Sequence, residues 1–91
     1  MLAITRSNRF VKDLKLAIKR GFNIQELDKV VTSLANNEVL DSKYKDHALL
    51  GKYSDFRECH IEPDWLLIYR IDDEELTLFL FRTGTHSDLF K

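Results

Sequence analysis

Among its 91 residues the chain has one cysteine, one proline, one tryptophan, one methionine and three glycines. So little Gly and Pro excludes collagen-like and low-complexity disordered chains. A lone Cys59 excludes an internal disulfide and fits a reducing compartment, so a cytoplasmic location is expected. Long apolar runs are missing as well. The longest uncharged one, Leu76 to Phe81, is six residues broken by Thr77, against the roughly 18 needed to cross a membrane. No membrane partner is therefore expected. Met1 to Arg6 passes directly into Arg9, Lys12 and Lys15 with no apolar block, so no secretory signal is expected. No repeat or linker interrupts the chain, and its length suits one core, hence one domain over residues 1–91.

What is present is a compact-protein composition, 44% hydrophobic and 32% charged, with a formal net charge of -1. The total conceals an asymmetry. Residues 1–45 hold nine Lys/Arg against five acids, and residues 46–91 hold five against ten. The first twenty residues alone carry six cations against Asp13. A basic segment of this kind serves either as a solvated helix face or as a nucleic-acid contact. Four of the later acids, Asp72 to Glu75, form one run that suits a hairpin tip.

Local patterns predict an α+β fold. Leu2–Thr5 suits a short first strand. Ser7 then caps a helix whose Phe10, Val11, Leu14, Ala17 and Ile18 recur at helical spacing, and Gly21 stops it. Asn23 and Glu26 form a capping-box pattern ahead of a second stripe, Leu27, Val30, Val31 and Leu34, which ends at Asn36-Asn37. The short link makes the two helices an antiparallel hairpin. Residues 53–62, 65–71 and 75–83 read as three antiparallel strands of a small sheet, divided by Pro63-Asp64 and Asp72-Asp73-Glu74. The middle strand is apolar on both faces, which places it centrally, with helices on one side and a partner surface on the other.

Candidate chemistry lies in the acidic half. His47, His60 and His86 each stand among polar or turn residues, and Arg82 lies at a strand end just before Gly84. A metal site is disfavoured by spacing. No His-x-x-x-His or Cys-x-x-Cys pair preorganises two ligands, and the adjacent Cys59 and His60 point to opposite faces of a strand. Cys59 suits core packing. His, Asp and Arg do supply what metal-free RNA cleavage requires: a base for the 2′-OH proton, a cation for the phosphorane and an acid for the departing 5′-oxygen. An aromatic such as Phe90 or Trp65 supplies a face for an unpaired base. Composition alone does not choose this over other acid–base chemistry.

Three motifs then coincide in order: Asp46-His47-Ala48-Leu49-Leu50-Gly51, Phe56 to Tyr69 around His60-Ile61-Glu62-Pro63-Asp64-Trp65, and Arg82-Thr83-Gly84-Thr85-His86-Ser87-Asp88-Leu89-Phe90. Together they resemble the YafQ branch of the RelE/ParE toxin superfamily, over nearly the whole chain. The resemblance implies a RelE-like fold with a short C-terminal turn. It implies a ribosome-dependent mRNA endonuclease, the toxin of a type II toxin–antitoxin pair, working without metal or cofactor. Carried over by residue, it implies a site of His47, His60, Asp64, Arg82 and His86, with Trp65 and Phe90 shaping a nucleotide pocket. His86 is then the general acid, Asp64 or His47 the base and Arg82 the phosphate-stabilising cation. Implied partners are the ribosome, mRNA and a DinJ-like ribbon-helix-helix antitoxin, with DNA bound only by the toxin–antitoxin complex. A non-catalytic RNA- or protein-binding module and a ParE-type gyrase-directed toxin are the competing readings.

Overall fold

The structure is a computed structural model and describes residues 1–90. Its elements run β1 (Ala3–Arg6), α1 (Asn8–Lys19), α2 (Ile24–Ala35), β2 (His47–Ala48), β3 (Arg57–Glu62), β4 (Trp65–Asp72), β5 (Thr77–Gly84) and α3 (His86–Leu89). Single-turn helices at Ser42–Tyr44 and Gly51–Tyr53 bracket β2. No helix among the described residues is long and apolar enough to cross a membrane.

Ser7 caps α1 as its position predicts, accepting from the Phe10 N–H at 2.9 Å, and its hydroxyl also donates to the Phe81 carbonyl at 2.6 Å. Gly21, at φ 79°, adopts the left-handed turn that ends the helix. The expected capping box of α2 does not form. The Asn23 side chain makes no cap bond, the Glu26 N–H donating instead to the Asn23 backbone carbonyl at 3.0 Å, and the Glu26 carboxylate turns away to accept from the Tyr44 hydroxyl at 2.6 Å. Both helices lay their apolar stripes, including Phe10, Ala17, Leu27, Val30 and Leu34, against Cys59, Leu67, Tyr69, Leu78 and Leu80 of the sheet. Cys59 is fully buried there.

The sheet has five strands in the order β1-β5-β4-β3-β2. β4 is central, as expected. The sheet is mixed rather than purely antiparallel, because β1 pairs with β5 in parallel. Residues 53–56 lie outside β3: Gly51, at φ 67°, starts a tight turn there instead. The two-residue strand β2, which pairs His47 with Glu58, has no counterpart in the periodicity. Two register shifts matter. One lies between His60 and Glu62 on β3; the other inserts Phe81 into β5 opposite the Ile68–Tyr69 step.

Candidate active site

Strand alternation divides β4. Leu67 and Tyr69 face the helices, while Leu66 and Ile68 face away. The away-facing residues do not await a partner to cover them. Leu66 and Ile68 are 0% and 6% exposed, and Ile68 is overhung by Leu49, Leu89 and Phe90 of the same chain. Register gathers polar groups on this face. His47, Glu58, Ile68 and Arg82 form one row across four strands, and His60, Leu66 and Gly84 form the next. Gly84 leads through Thr85 into His86.

Three imidazoles therefore meet. The ring centroids of His47 and His60 are 6.5 Å apart, and those of His60 and His86 are 5.6 Å apart. Between the first two sits Glu58, 7% exposed, with Oε1 3.4 Å from His47 Nε2 and 3.8 Å from His60 Nε2. Sequence reasoning missed Glu58. Its signal was the i, i+2 relation to His60, which puts both on one face of β3. His47 Nδ1 lies 2.7 Å from the Lys45 carbonyl. A carbonyl only accepts, so this bond puts the proton on Nδ1 and turns Nε2 toward Glu58.

His86 is oriented by Asp64. The carboxylate accepts from the His86 backbone N–H at 2.9 Å and from ring Nδ1 at 2.6 Å, which leaves Nε2 outward. These same bonds, the backbone one first, hold the Asp64 carboxyl below its ordinary range. The short α3 that carries His86 is closed by a Thr85–Asp88 capping box. Asp88 in turn accepts from Arg20 at 2.7 Å and 3.3 Å, chiefly through which its carboxyl is strongly depressed. Gly84 is required here, since a Cβ on it would lie 3.0 Å from both Asp88 Cβ and Oδ2.

Arg82 is held in an ion pair. Beyond Leu80, β5 has no strand partner on the β1 side, and Asp13 of α1 takes that place. It accepts from Arg82 Nε at 2.7 Å, from Nη2 at 3.2 Å and from the Thr83 N–H at 3.2 Å. This fork fixes the guanidinium and leaves Nη1 without a hydrogen-bond partner among the described residues. Arg82 also lines a cavity of about 260 Å³ with Arg9, Tyr53, Ile68, Leu89 and the half-exposed Phe90.

Trp65 is not in that cavity. It is 2% exposed and lies one residue before Leu66, so it faces the helices and packs edge-on to Phe22 at 5.1 Å. Its ring cannot receive a base from this side. Asp46, which precedes His47, accepts from the buried Tyr69 hydroxyl at 2.5 Å and from Arg57 at 3.3 Å. Among the described residues no three His, Cys, Asp or Glu side chains are arranged to hold a metal ion.

A helical hairpin behind a mixed sheet, with imidazoles, carboxylates and a guanidinium on the other face, defines a RelE-like toxin domain. Within that class the chain belongs to the YafQ family, described as bacterial toxins of type II toxin–antitoxin systems, whose model matches residues 2–91. The Escherichia coli K12 protein named mRNA interferase toxin YafQ is 44% identical over 88 residues, spanning 96% of this chain and 94% of its own. A structure described as a metal-bound toxin from Helicobacter pylori is 54% identical, with a TM-score of 0.94 over 99% of this chain and 100% of that one. The E. coli DinJ–YafQ complex matches at 42% identity and a TM-score of 0.91, covering 100% of both chains.

Proposed function

We propose that this chain is an mRNA endoribonuclease that cuts on the ribosome by acid–base chemistry and is restrained by a DinJ-like antitoxin. The observation that carries the reading is the Asp64–His86 pair. It holds one imidazole with Nε2 outward, 5.6 Å between ring centroids from a second imidazole. The relatives' name, mRNA interferase, and their complex with DinJ support the same reading.

In this scheme the 2′-OH gives its proton to the His47–Glu58–His60 cluster and its oxygen attacks the adjacent phosphorus. Asp64, committed to His86, is the less suited of the two bases expected. The guanidinium of Arg82, aimed by Asp13, stabilises the extra charge on the phosphorane. The P–O5′ bond then breaks as Nε2–H of His86 protonates the leaving oxygen, giving a 2′,3′-cyclic phosphate and a 5′-OH. The ionised Asp64 stabilises the imidazolium before that transfer and fixes its tautomer. Dependence on the 2′-OH restricts the reaction to RNA. Phe90 and Tyr53 offer aromatic faces to the base held beside Arg82.

The test is His86→Ala. The side chain is 53% exposed, so the fold and antitoxin binding should survive, while mRNA cleavage falls by about 10²- to 10⁴-fold and growth arrest disappears. Unchanged cleavage overturns the assignment. Arrest that persists, with replication stopping before translation, indicates a gyrase-directed toxin instead.

A further inference from the structure

A further cavity borders the proposed reaction centre at His60. It measures about 480 Å³ and is lined by Asn23, Glu26, Lys43, Tyr44, Lys45 and His60, closed by the β3 end through Pro63. That is the size of a small-molecule site. It shares no lining residue with the 260 Å³ cavity beside Arg82. His60 is the imidazole that opens onto it, so the two cavities flank the proposed reaction centre.

Its two lysines and the Asn23 side chain are unspent. Neither Lys43 nor Lys45 takes part in an ion pair among the described residues. The Lys43 ammonium rests over the Tyr44 ring, 5.0 Å from its centroid, which holds it near the cavity. Lys45 adopts the left-handed backbone at φ 50°, and its carbonyl is the group that orients His47. One backbone turn thus sets both the mouth of the cavity and the ring of the proposed base. The Asn23 carboxamide makes no cap bond and offers both a donor and an acceptor. The Tyr44 hydroxyl, then Lys29 and Lys43, hold the Glu26 carboxyl below its ordinary range, so Glu26 stands ionised and the Lys43 and Lys45 ammoniums must outweigh its charge.

We propose that this cavity is a second nucleotide subsite, which seats the RNA residue on the opposite side of the cleaved bond from the Phe90–Arg82 pocket. The proposal rests on the nuclease reading above. Lys43 and Lys45 receive the backbone phosphate, and Asn23 with Glu62 meets the edge of the base. One strand then runs from the aromatic pocket across the imidazoles into the lysine-rimmed cavity, held at both ends with its 2′-OH between.

The test measures cleavage of mRNA on programmed ribosomes by the whole chain, its Lys43→Gln and Lys45→Gln variants, and their combination. Binding of a 2′-O-methyl trinucleotide, which cannot be cut, is measured beside it as a function of salt. Each lysine variant should raise KM up to about fivefold and flatten the dependence of log affinity on log salt by about 0.7, acting on KM rather than kcat. Asn23→Ala and Glu62→Gln should change which codons are cut, read by primer extension. Lysine variants with unaltered KM and salt slope overturn the subsite while leaving the nuclease reading intact, provided that His86→Ala remains inactive. Variants that lose antitoxin affinity with unaltered RNA parameters make the cavity a protein-binding surface and overturn it likewise. A wild-type chain that cuts nothing removes the nuclease reading and the subsite together.

Discussion

Replacing Tyr69 by Phe removes one oxygen from the core and leaves every other atom in place. That oxygen donates to Asp46 at 2.5 Å, from a residue only 1% exposed. Hydrogen bonds to charged groups contribute about 1.5 to 3 kcal/mol. The Asp46 side chain is 24% exposed and keeps its contact with Arg57 at 3.3 Å, so water and the guanidinium partly replace the phenol. The lower part of the range, about 1.5 to 2 kcal/mol, is therefore expected. For a domain of this size that corresponds to a fall in Tm of about 6 to 16 °C. Burial, and then the bond to Asp46, push the Tyr69 phenol well above its ordinary value. The folded chain thus holds this proton more tightly than the unfolded one. Its contribution is fully present below about pH 10 and fades as pH rises through the folded value. Urea unfolding of wild type and variant should show the full difference at pH 7 and a diminishing one in alkali. Because Asp46 directly precedes His47, cleavage should also slow at saturating mRNA. A loss of stability with unchanged kcat refutes the idea that this anchor positions His47. Unchanged stability refutes the bond's contribution altogether.

Other variants examine the rest of the site. Asp64→Asn keeps an oxygen for the His86 backbone N–H but loses the charge, and should lower kcat by about 10²-fold in single-turnover cleavage without raising KM. Since the folded Asp64 carboxyl is held low, the stability difference between wild type and variant should persist above about pH 4 and vanish as pH falls through the folded value, as followed by thermal melts. Gly84→Ala puts a methyl 3.0 Å from Asp88 and should destabilise the chain by about 1 to 3 kcal/mol in urea titrations. Arg20→Ala releases Asp88 from its fork and should slow cleavage by loosening the turn that carries His86, with Arg20→Lys restoring part of the rate.

The helices and the central strand were legible because they rest on local signals: Ser7 before a 3.6-residue stripe, Gly21 after it, and five consecutive apolar residues from Trp65. What stayed hidden depends on distant pairing. Asp13 meets Arg82 across 69 positions, and nothing near either residue announces it. Glu26 fits a capping box by spacing, yet a tyrosine 18 residues away takes its carboxylate. Residues 53–56 have strand-like aromatics, but the left-handed backbone at Gly51 commits them to a turn. His47, His60, Asp64, Arg82, His86 and Phe90 do gather on one side of the molecule. Trp65 is excluded by strand parity and Glu58 is admitted by the same rule.

The inserted Phe81 carries a larger consequence than a local bend. Were Phe81 paired with Ile68, the ladder continued from Tyr69 and Leu80 would bring Arg82 opposite Leu67 and Thr83 opposite Leu66. The guanidinium would then be driven under the helices and the hydroxyl turned outward. Pairing Phe81 into the ladder would therefore turn the chemistry inside out, whereas deleting it keeps Arg82 opposite Ile68 and Thr83 opposite Leu67. In the proposed site, odd and even count for as much as histidine and arginine.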